Sequence, residues 1–475
     1  MPISALTAIF CYLTALVCIA FFSYKKNQTS SDFIIGGRGM SFWLTAFAAH
    51  ASDMSSWIFM AYPLMIYQNG LSHIFVAIGL ILFMFLNWKY VAGQLRLESE
   101  KYQAMTFSSY FESRFHDTSG SLRILSAVMC FIFYSIYISA GFYGLGLLLN
   151  QLFDIPFSIG LSLGLFIVVP YLFAGGYVTL AWTDFFQGLF LIGVILFVPW
   201  TATDDFGGFQ KLLSDLKTRD FFDTLLPESS IQGLLSPLIL ALSWGLPYFG
   251  QPHIVTKFMG IKNPKETVKS QWLGLTWQTI TLAASTWVGI IAIPLFIHPD
   301  FDPQLIFIKM VKNLFTPFFG SLILCAILGT TITLANSQIL VLASSLTEDF
   351  YRRIFKKEAS SHELLKVSRW NILIVTLIAY GIALTPFSTI SGLVEFAWFG
   401  LGSSFGPLIL FAIYDRKANR YGAIAGILTG GLMALFIPFA NHLSQWNLPT
   451  MIIAFLSSSA MIALVSRCTQ PRNPR

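Results

Sequence analysis

The stretch Ser243-Trp244-Gly245-Leu246-Pro247-Tyr248-Phe249-Gly250-Gln251-Pro252 lies inside an apolar run extending from about residue 232 to 256. The run is long enough to cross a lipid bilayer, which takes about 20 residues as a helix. Yet two glycines and two prolines fall between positions 245 and 252, and a regular helix cannot carry them. Backbone in hydrocarbon must satisfy its own hydrogen bonds, so irregular chain at membrane depth is tolerated only inside the protein or along a cavity. The stretch therefore reads as a broken helix. A second apolar run, 41–66, is interrupted differently, by Ala49-His50-Ala51-Ser52-Asp53-Met54-Ser55-Ser56-Trp57. It sets a carboxylate, an imidazole and three hydroxyls at its middle.

Composition supports the lipid setting. The chain has 475 residues, 55% of them hydrophobic and 11% charged, with a mean hydropathy of +0.68. A soluble domain carries about 25% charged residues. Apolar runs fall near 5–23, 41–66, 72–91, 122–149, 156–174, 183–201, 232–256, 270–296, 316–346, 368–386, 390–414, 422–440 and 448–466. No alternating β-barrel pattern appears, so these runs predict an all-α polytopic membrane protein of about thirteen spans. Cys11, Cys18, Cys130, Cys325 and Cys468 are widely spaced and predict neither a disulfide framework nor a metal site.

Charge sets the orientation. Counting loops alternately from the first, 24 of the 29 Lys and Arg fall on one side. They include Lys25, Lys26, Lys257, Arg352, Arg353, Arg472 and Arg475. Only Lys211, Lys217, Arg219, Lys309 and Lys312 fall on the other. The positive-inside rule then places the N-terminus outside and the C-terminus in the cytoplasm. The first run lacks a basic leader and is followed by Lys25 and Lys26, which suits a retained span. The acidic outer loop 202–230, containing Glu228, predicts a short surface helix. The basic 347–367 segment predicts a solvated helix extension.

The two interrupted runs stand five runs apart. Each opens a five-helix unit, and an odd unit length inverts the second copy, giving a five-plus-five inverted repeat. One integral domain, 1–475, follows: an extra N-terminal helix in 1–30, a core over 41–414 with halves 41–201 and 232–414, and two added helices in 420–466.

Several strings resemble a known family. They are Gly36-Gly37-Arg38, Ala51-Ser52-Asp53-Met54-Ser55, Asn87-Trp88-Lys89, Trp182-Thr183-Asp184, Trp244 through Tyr248-Phe249-Gly250-Gln251-Pro252-His253, and Leu346-Thr347-Glu348-Asp349. Together they resemble the sodium:solute symporters, the bacterial sodium/proline branch in particular, over about residues 30–440. The resemblance implies a bacterial inner-membrane carrier that imports proline or a close relative with sodium. It implies a sodium site built from the Ala51 and Met54 carbonyls with Thr330 and Thr333, cation-path carboxylates at Asp53 and Asp184, and solute contacts from Ser55, Tyr137, Trp244, Tyr248 and Pro252. The aromatic side chains would cover the ring and cationic nitrogen of an imino acid. By itself, Asp184 also reads as a helix N-cap and Tyr137 as a packed tyrosine.

The chain departs from that pattern at four places. Leu334 stands where the family carries a second hydroxyl, beside Thr333. Pro247 replaces an expected glycine. His50 and Glu395 stand where small residues are typical, and two titratable additions beside a lost sodium ligand open the possibility of proton coupling. The same features would also suit import of a different amino acid or organic solute, or a transporter-like sensor. The sequence shows no metal motif, nucleophile elbow or phosphate loop, so no enzymatic activity, no cofactor beyond the coupling ion, and no nucleic-acid or obligate protein partner is expected.

Overall fold

The computed structural model describes residues 3–24, 30–174, 176–226, 231–297, 300, 302–385, 388–444 and 447–470. Lys25, Lys26, Glu228, Arg472 and Arg475 lie outside them. The described chain is all helix, apart from one isolated bridge between Met40 and Ile261. The principal helices are α1 (Ile3–Tyr24), α2 (Phe42–Met54), α3 (Ala61–Asn69), α4 (Ile74–Asn87), α5 (Ser121–Phe153), α6 (Phe157–Ala174), α7 (Tyr177–Phe206), α8 (Phe209–Thr218), α9 (Ile231–Gly245), α10 (Pro252–Met259), α11 (Thr267–Leu295), α12 (Pro317–Ser345), α13 (Ser361–Leu384), α14 (Ile390–Tyr414), α15 (Arg420–Ser444) and α16 (Thr450–Cys468).

Among the described residues, nine helices are long and apolar enough to span a membrane, and shorter apolar helices lie at Ile3–Ile19, Phe157–Val168 and Leu235–Gly250. The broad reading, a polytopic helical membrane protein, is the observed fold. Large apolar side chains face outward on the peripheral helices, Phe436, Phe439, Leu443, Leu456 and Leu464 among them. Water would not tolerate so much contiguous apolar surface, whereas lipid favours it.

Two groups of helices face each other. The halves of the interrupted runs, α2–α3 and α9–α10, pack with α4 and α11, while α5, α6, α12 and α13 form the second group. Helix α12 threads the interface, touching α2, α5, α7 and α10, and is the most enclosed long helix at 83% buried. Its polar residues therefore face protein rather than lipid.

The expected surface helix in the outer loop is present as α8. The basic segment after α12 continues as a widened helical turn, Leu346–Phe355. Its arginines are committed to ion pairs: Arg352 with Glu348 at 3.0 Å and Arg353 with Glu112 at 3.1 Å. One charge corrects the loop assignment. Lys257 is not a loop residue; it sits within α10 and is 2% exposed. The apolar run continues past Pro252 as a second half-helix and carries Lys257 into the interior.

Before α2, Gly36 and Gly37 adopt φ of 65° and 59°, values that favour glycine. The turn they form aims Arg38 across the chain. Its guanidinium donates to Ser99 Oγ at 3.0 Å and to the carbonyls of Ser99, Ala104 and Met259 at 2.9, 2.8 and 3.1 Å. The turn thereby ties the start of the first broken run to the end of the second.

Candidate functional site

Both predicted breaks exist, and they meet. Helix α2 stops at Met54 because Ser55 takes φ 41°, ψ −164°, a region costing a non-glycine residue about 1–3 kcal/mol. The Ser55 hydroxyl offsets part of that cost by accepting a hydrogen bond from the Trp57 N–H at 3.1 Å. The last four carbonyls of a helix have no intrahelical partner, which frees those from Ala51 to Met54. The second break runs from α9 through a tight turn at Leu246–Gly250 and an extended Gln251 to Pro252, the first residue of α10. Gly250 permits this: a Cβ there would collide with the backbone nitrogen of Gly406 on α14.

Side chains join the breaks. Tyr248 donates its hydroxyl hydrogen to Asp53 Oδ2 at 2.5 Å. The Trp57 and Trp244 rings lie 5.3 Å apart. His253 Nε2 stands 3.8 Å from Asp53 Oδ1, and Tyr134 of α5 receives the His253 backbone N–H at 2.7 Å.

A longer chain of bonds runs into Asp53 from behind. Trp88 Nε1 donates to His50 Nε2 at 2.9 Å. An indole nitrogen only donates, so Nε2 must accept and His50 is neutral with its proton on Nδ1. That proton goes to Gln278 Oε1 at 2.8 Å. Gln278 Nε2 donates to the Tyr248 oxygen at 2.9 Å, and Tyr248 donates onward to Asp53. Trp88 only donates and the Asp53 carboxylate only accepts, so the roles of His50, Gln278 and Tyr248 between them are fixed and the relay has one direction.

Around the meeting point, Asp53, Met54, Trp57, Leu80, Tyr137, Trp244, Val394 and Trp398 line a cavity of 20 Å³, room for about one water. Trp398 closes the wall. Its Nε1 donates to the Trp244 carbonyl at 3.0 Å, and its own carbonyl receives Gln251 Nε2 at 2.9 Å. The Trp57 Nε1 hydrogen, buried at this wall, has no partner among the described residues. A solute larger than water enters only when the aromatic walls move. A roomier hollow, 510 Å³ between α7, α8 and α11, is lined chiefly by apolar residues such as Trp200, Phe209, Leu212 and Trp287, and none of the residues of either break lines it.

The candidate residues thus divide. Asp53, Tyr137 and Trp244 line the cavity, and Tyr248 holds Asp53. Ser55 makes the break. Pro252 begins α10, its carbonyl accepting from Thr256 Oγ1 at 2.6 Å, and does not line this cavity. Thr330 and Thr333 lie on α12, which packs against α2. Thr333 Oγ1 and both amide atoms of Asn336 are buried without partners among the described residues, and spacing of three places them on one face. Thr330 Oγ1 donates to the Ala326 and Ile327 carbonyls at 3.0 and 3.1 Å. Leu334 is buried and offers no side-chain oxygen. Asp184 is fully buried on α7 and faces Lys257 at 3.7 Å. Glu395 is half-buried on α14 and takes no part in the relay from His50.

Sequence reasoning missed Trp57, Trp398 and Gln278. The first two were hidden among many aromatic residues. Gln278 comes from a helix 228 positions beyond His50.

The sodium:solute symporter profile matches residues 33–430, most of the chain and both broken runs. The chain belongs to the sodium:solute symporter family. Two relatives align nearly end to end. A protein named sodium/proline symporter 2, from Staphylococcus saprophyticus, is 36% identical over 97% of this chain and 92% of its own length. A sodium/proline symporter from Staphylococcus aureus is 36% identical over 97% and 91%. Among solved structures, a Na+-coupled sialic acid symporter in a substrate-bound outward-open state superposes with a TM-score of 0.83, covering 99% of both chains at 18% identity. A nucleobase-cation-symport-1 transporter in a closed conformation superposes at 0.57 with 13% identity, covering 93% of this chain and 96% of its own. At such identities these structures speak to the fold, which this symporter shares.

Proposed function

We propose that this symporter imports proline or a close relative together with sodium, as a multi-pass protein of the bacterial inner membrane with its N-terminus outside and its C-terminus in the cytoplasm. One observation carries the reading: two broken helices meet at an aromatic cavity holding a single carboxylate, Asp53, whose geometry is set by a hydrogen-bond relay. The thirteen-span count, the 41–201 and 232–414 halves, and the absence of a cofactor, catalytic activity or obligate protein partner belong to the same proposal.

An imino acid has three features to recognise. Its cationic nitrogen pairs with Asp53 and faces aromatic rings. Its carboxylate takes the unpartnered Trp57 N–H and backbone donors freed at the Ser55 break. Its apolar ring packs on Tyr137, Trp244 and Trp398. Sodium, a hard cation, takes the freed Ala51 and Met54 carbonyls with the Thr333 and Thr330 hydroxyls, and the Asn336 amide oxygen supplies the polar atom that Leu334 lacks. Solute and ion then both bridge the two helix groups, and rocking of one group against the other exposes them to the opposite side.

Proton coupling through His50 and Glu395 is the second reading. The geometry favours sodium instead, because a proton on His50 Nε2 would collide with the Trp88 N–H.

Uptake of labelled proline into proteoliposomes, with sodium and proton gradients imposed separately, tests the reading. Uptake driven by sodium alone supports it, and uptake driven only by an acid exterior overturns the sodium assignment. Competition by other amino acids and organic acids in the same assay tests the solute, and binding without translocation would identify a sensor. Two variants refine the assay. Trp57→Phe keeps the ring and deletes a hydrogen bond to a charged group, worth about 1.5–3 kcal/mol, so proline affinity should fall at least about tenfold. Thr333→Val should raise the sodium concentration for half-maximal uptake about tenfold with the maximal rate less affected; an unshifted sodium dependence would remove Thr333 from the site.

A further inference from the structure

Asp184 is 0% exposed on α7, and neither of its carboxylate oxygens has a hydrogen-bond partner among the described residues. A buried charge in this state is strongly unfavourable unless a counter-charge stands beside it. The counter-charge is Lys257, itself 2% exposed, with Nζ 3.7 Å from Asp184 Oδ2. The ammonium is held from two other sides: it donates to Ser337 Oγ on α12 at 3.2 Å and lies 4.9 Å from the centre of the Tyr177 ring, a favourable cation–π placement. Ser337 stands four residues beyond Thr333, on the same face of α12. The amine therefore occupies a carboxylate-bearing pocket one helical turn from the candidate sodium site.

We propose that Lys257 is a tethered cation: its ammonium fills a second monovalent-cation position at Asp184, so that this symporter binds and carries one sodium per solute. Two cations cannot share that small volume without strong repulsion, so the amine excludes a second ion. Lys257 rides on α10, the second half of a broken run, whereas Asp184 and Ser337 belong to α7 and α12. When α10 moves, the charge that compensates Asp184 moves with the protein and never crosses the membrane. The assignment rests on the sodium-coupled reading for its place in transport, but the occupancy of the pocket is measurable without any transport.

The test is equilibrium binding of 22Na+ to the purified full-length chain. Wild type should bind one sodium per chain, and so should Lys257→Arg, which keeps the tethered charge. Lys257→Met should bind two, because the vacated pocket leaves Asp184 free to take an ion. Adding Asp184→Asn to Lys257→Met should return the count to one, and this neutral pair also guards against misfolding caused by an unpaired charge. Two ions on wild type, or one on a folded Lys257→Met chain, would overturn the proposal. No sodium on wild type but one on Lys257→Met would support the tethered cation while refuting sodium coupling, which keeps the two readings separable.

Discussion

Asp53→Asn is expected to weaken proline binding about 100-fold without unfolding the protein. Asparagine matches aspartate in shape, and its amide oxygen still accepts the hydrogen bond that Tyr248 now gives Asp53 at 2.5 Å. The cavity wall and the His50–Gln278–Tyr248 chain therefore stay in place. What disappears is a negative charge that is nearly closed off from water, with the side chain only 6% exposed. Removing one partner of a buried charge pair costs about 2–5 kcal/mol, and about 2.8 kcal/mol, in the lower half of that range, gives the stated factor. Proline binding at saturating sodium is the primary measurement. Tetrahydrofuran-2-carboxylate, which keeps ring and carboxylate but lacks the basic nitrogen, should bind wild type weakly and lose no affinity in the variant, because it leaves no cation for Asp53 to pair. If Asp53→Asn instead leaves proline affinity unchanged at saturating sodium and only raises the sodium requirement, Asp53 serves the ion path, as the family resemblance alone implies, and not the solute nitrogen.

How far the site was legible follows from what breaks a helix. The second break announces itself through Gly245, Pro247, Gly250 and Pro252, because those residue types restrict backbone locally and need no knowledge of the fold. The first break has no glycine or proline. Its polar residues signal function, but the left-handed turn at Ser55 and the Ser55–Trp57 bond that supports it are local accommodations forced by tertiary packing. Lys257 was misplaced for a related reason. A lysine near the end of an apolar run looks like a loop charge until the run is seen to restart at Pro252 and deliver it to Asp184. The relay is the least legible part. His50, Trp88, Gln278 and Tyr248 stand on four different segments, and only the packing of α11 against α2 and α4 brings them into line. His50 read from sequence as a titratable addition, whereas Trp88 fixes it as a neutral link.

That packing carries the second large effect, expected for Gly274→Ala. Helix α11 crosses α2 with Gly274 against the His50 ring, and a Cβ at position 274 would collide with both Cδ2 and Nε2 of His50. The imidazole has little freedom to yield. Trp88 and Gln278 hold its two nitrogens, and the ring is parallel to the Trp88 indole within 5°. Overpacking of this kind costs about 1–3 kcal/mol in a core, and here it also pushes the first link of the relay out of register. Gly274→Ala should therefore lower the melting temperature and, through Gln278 and Tyr248, release Asp53, so that proline affinity falls together with stability. The double variant Gly274→Ala/His50→Ala separates the two consequences. Removing the imidazole clears the space the new methyl needs, so thermal stability should recover substantially, but the Gln278 oxygen then loses the imidazole that anchors it, and proline affinity should stay low. A Gly274→Ala chain that melts and binds like wild type would show that the ring yields at no cost, and recovery of affinity in the double variant would show that Asp53 is positioned without the relay.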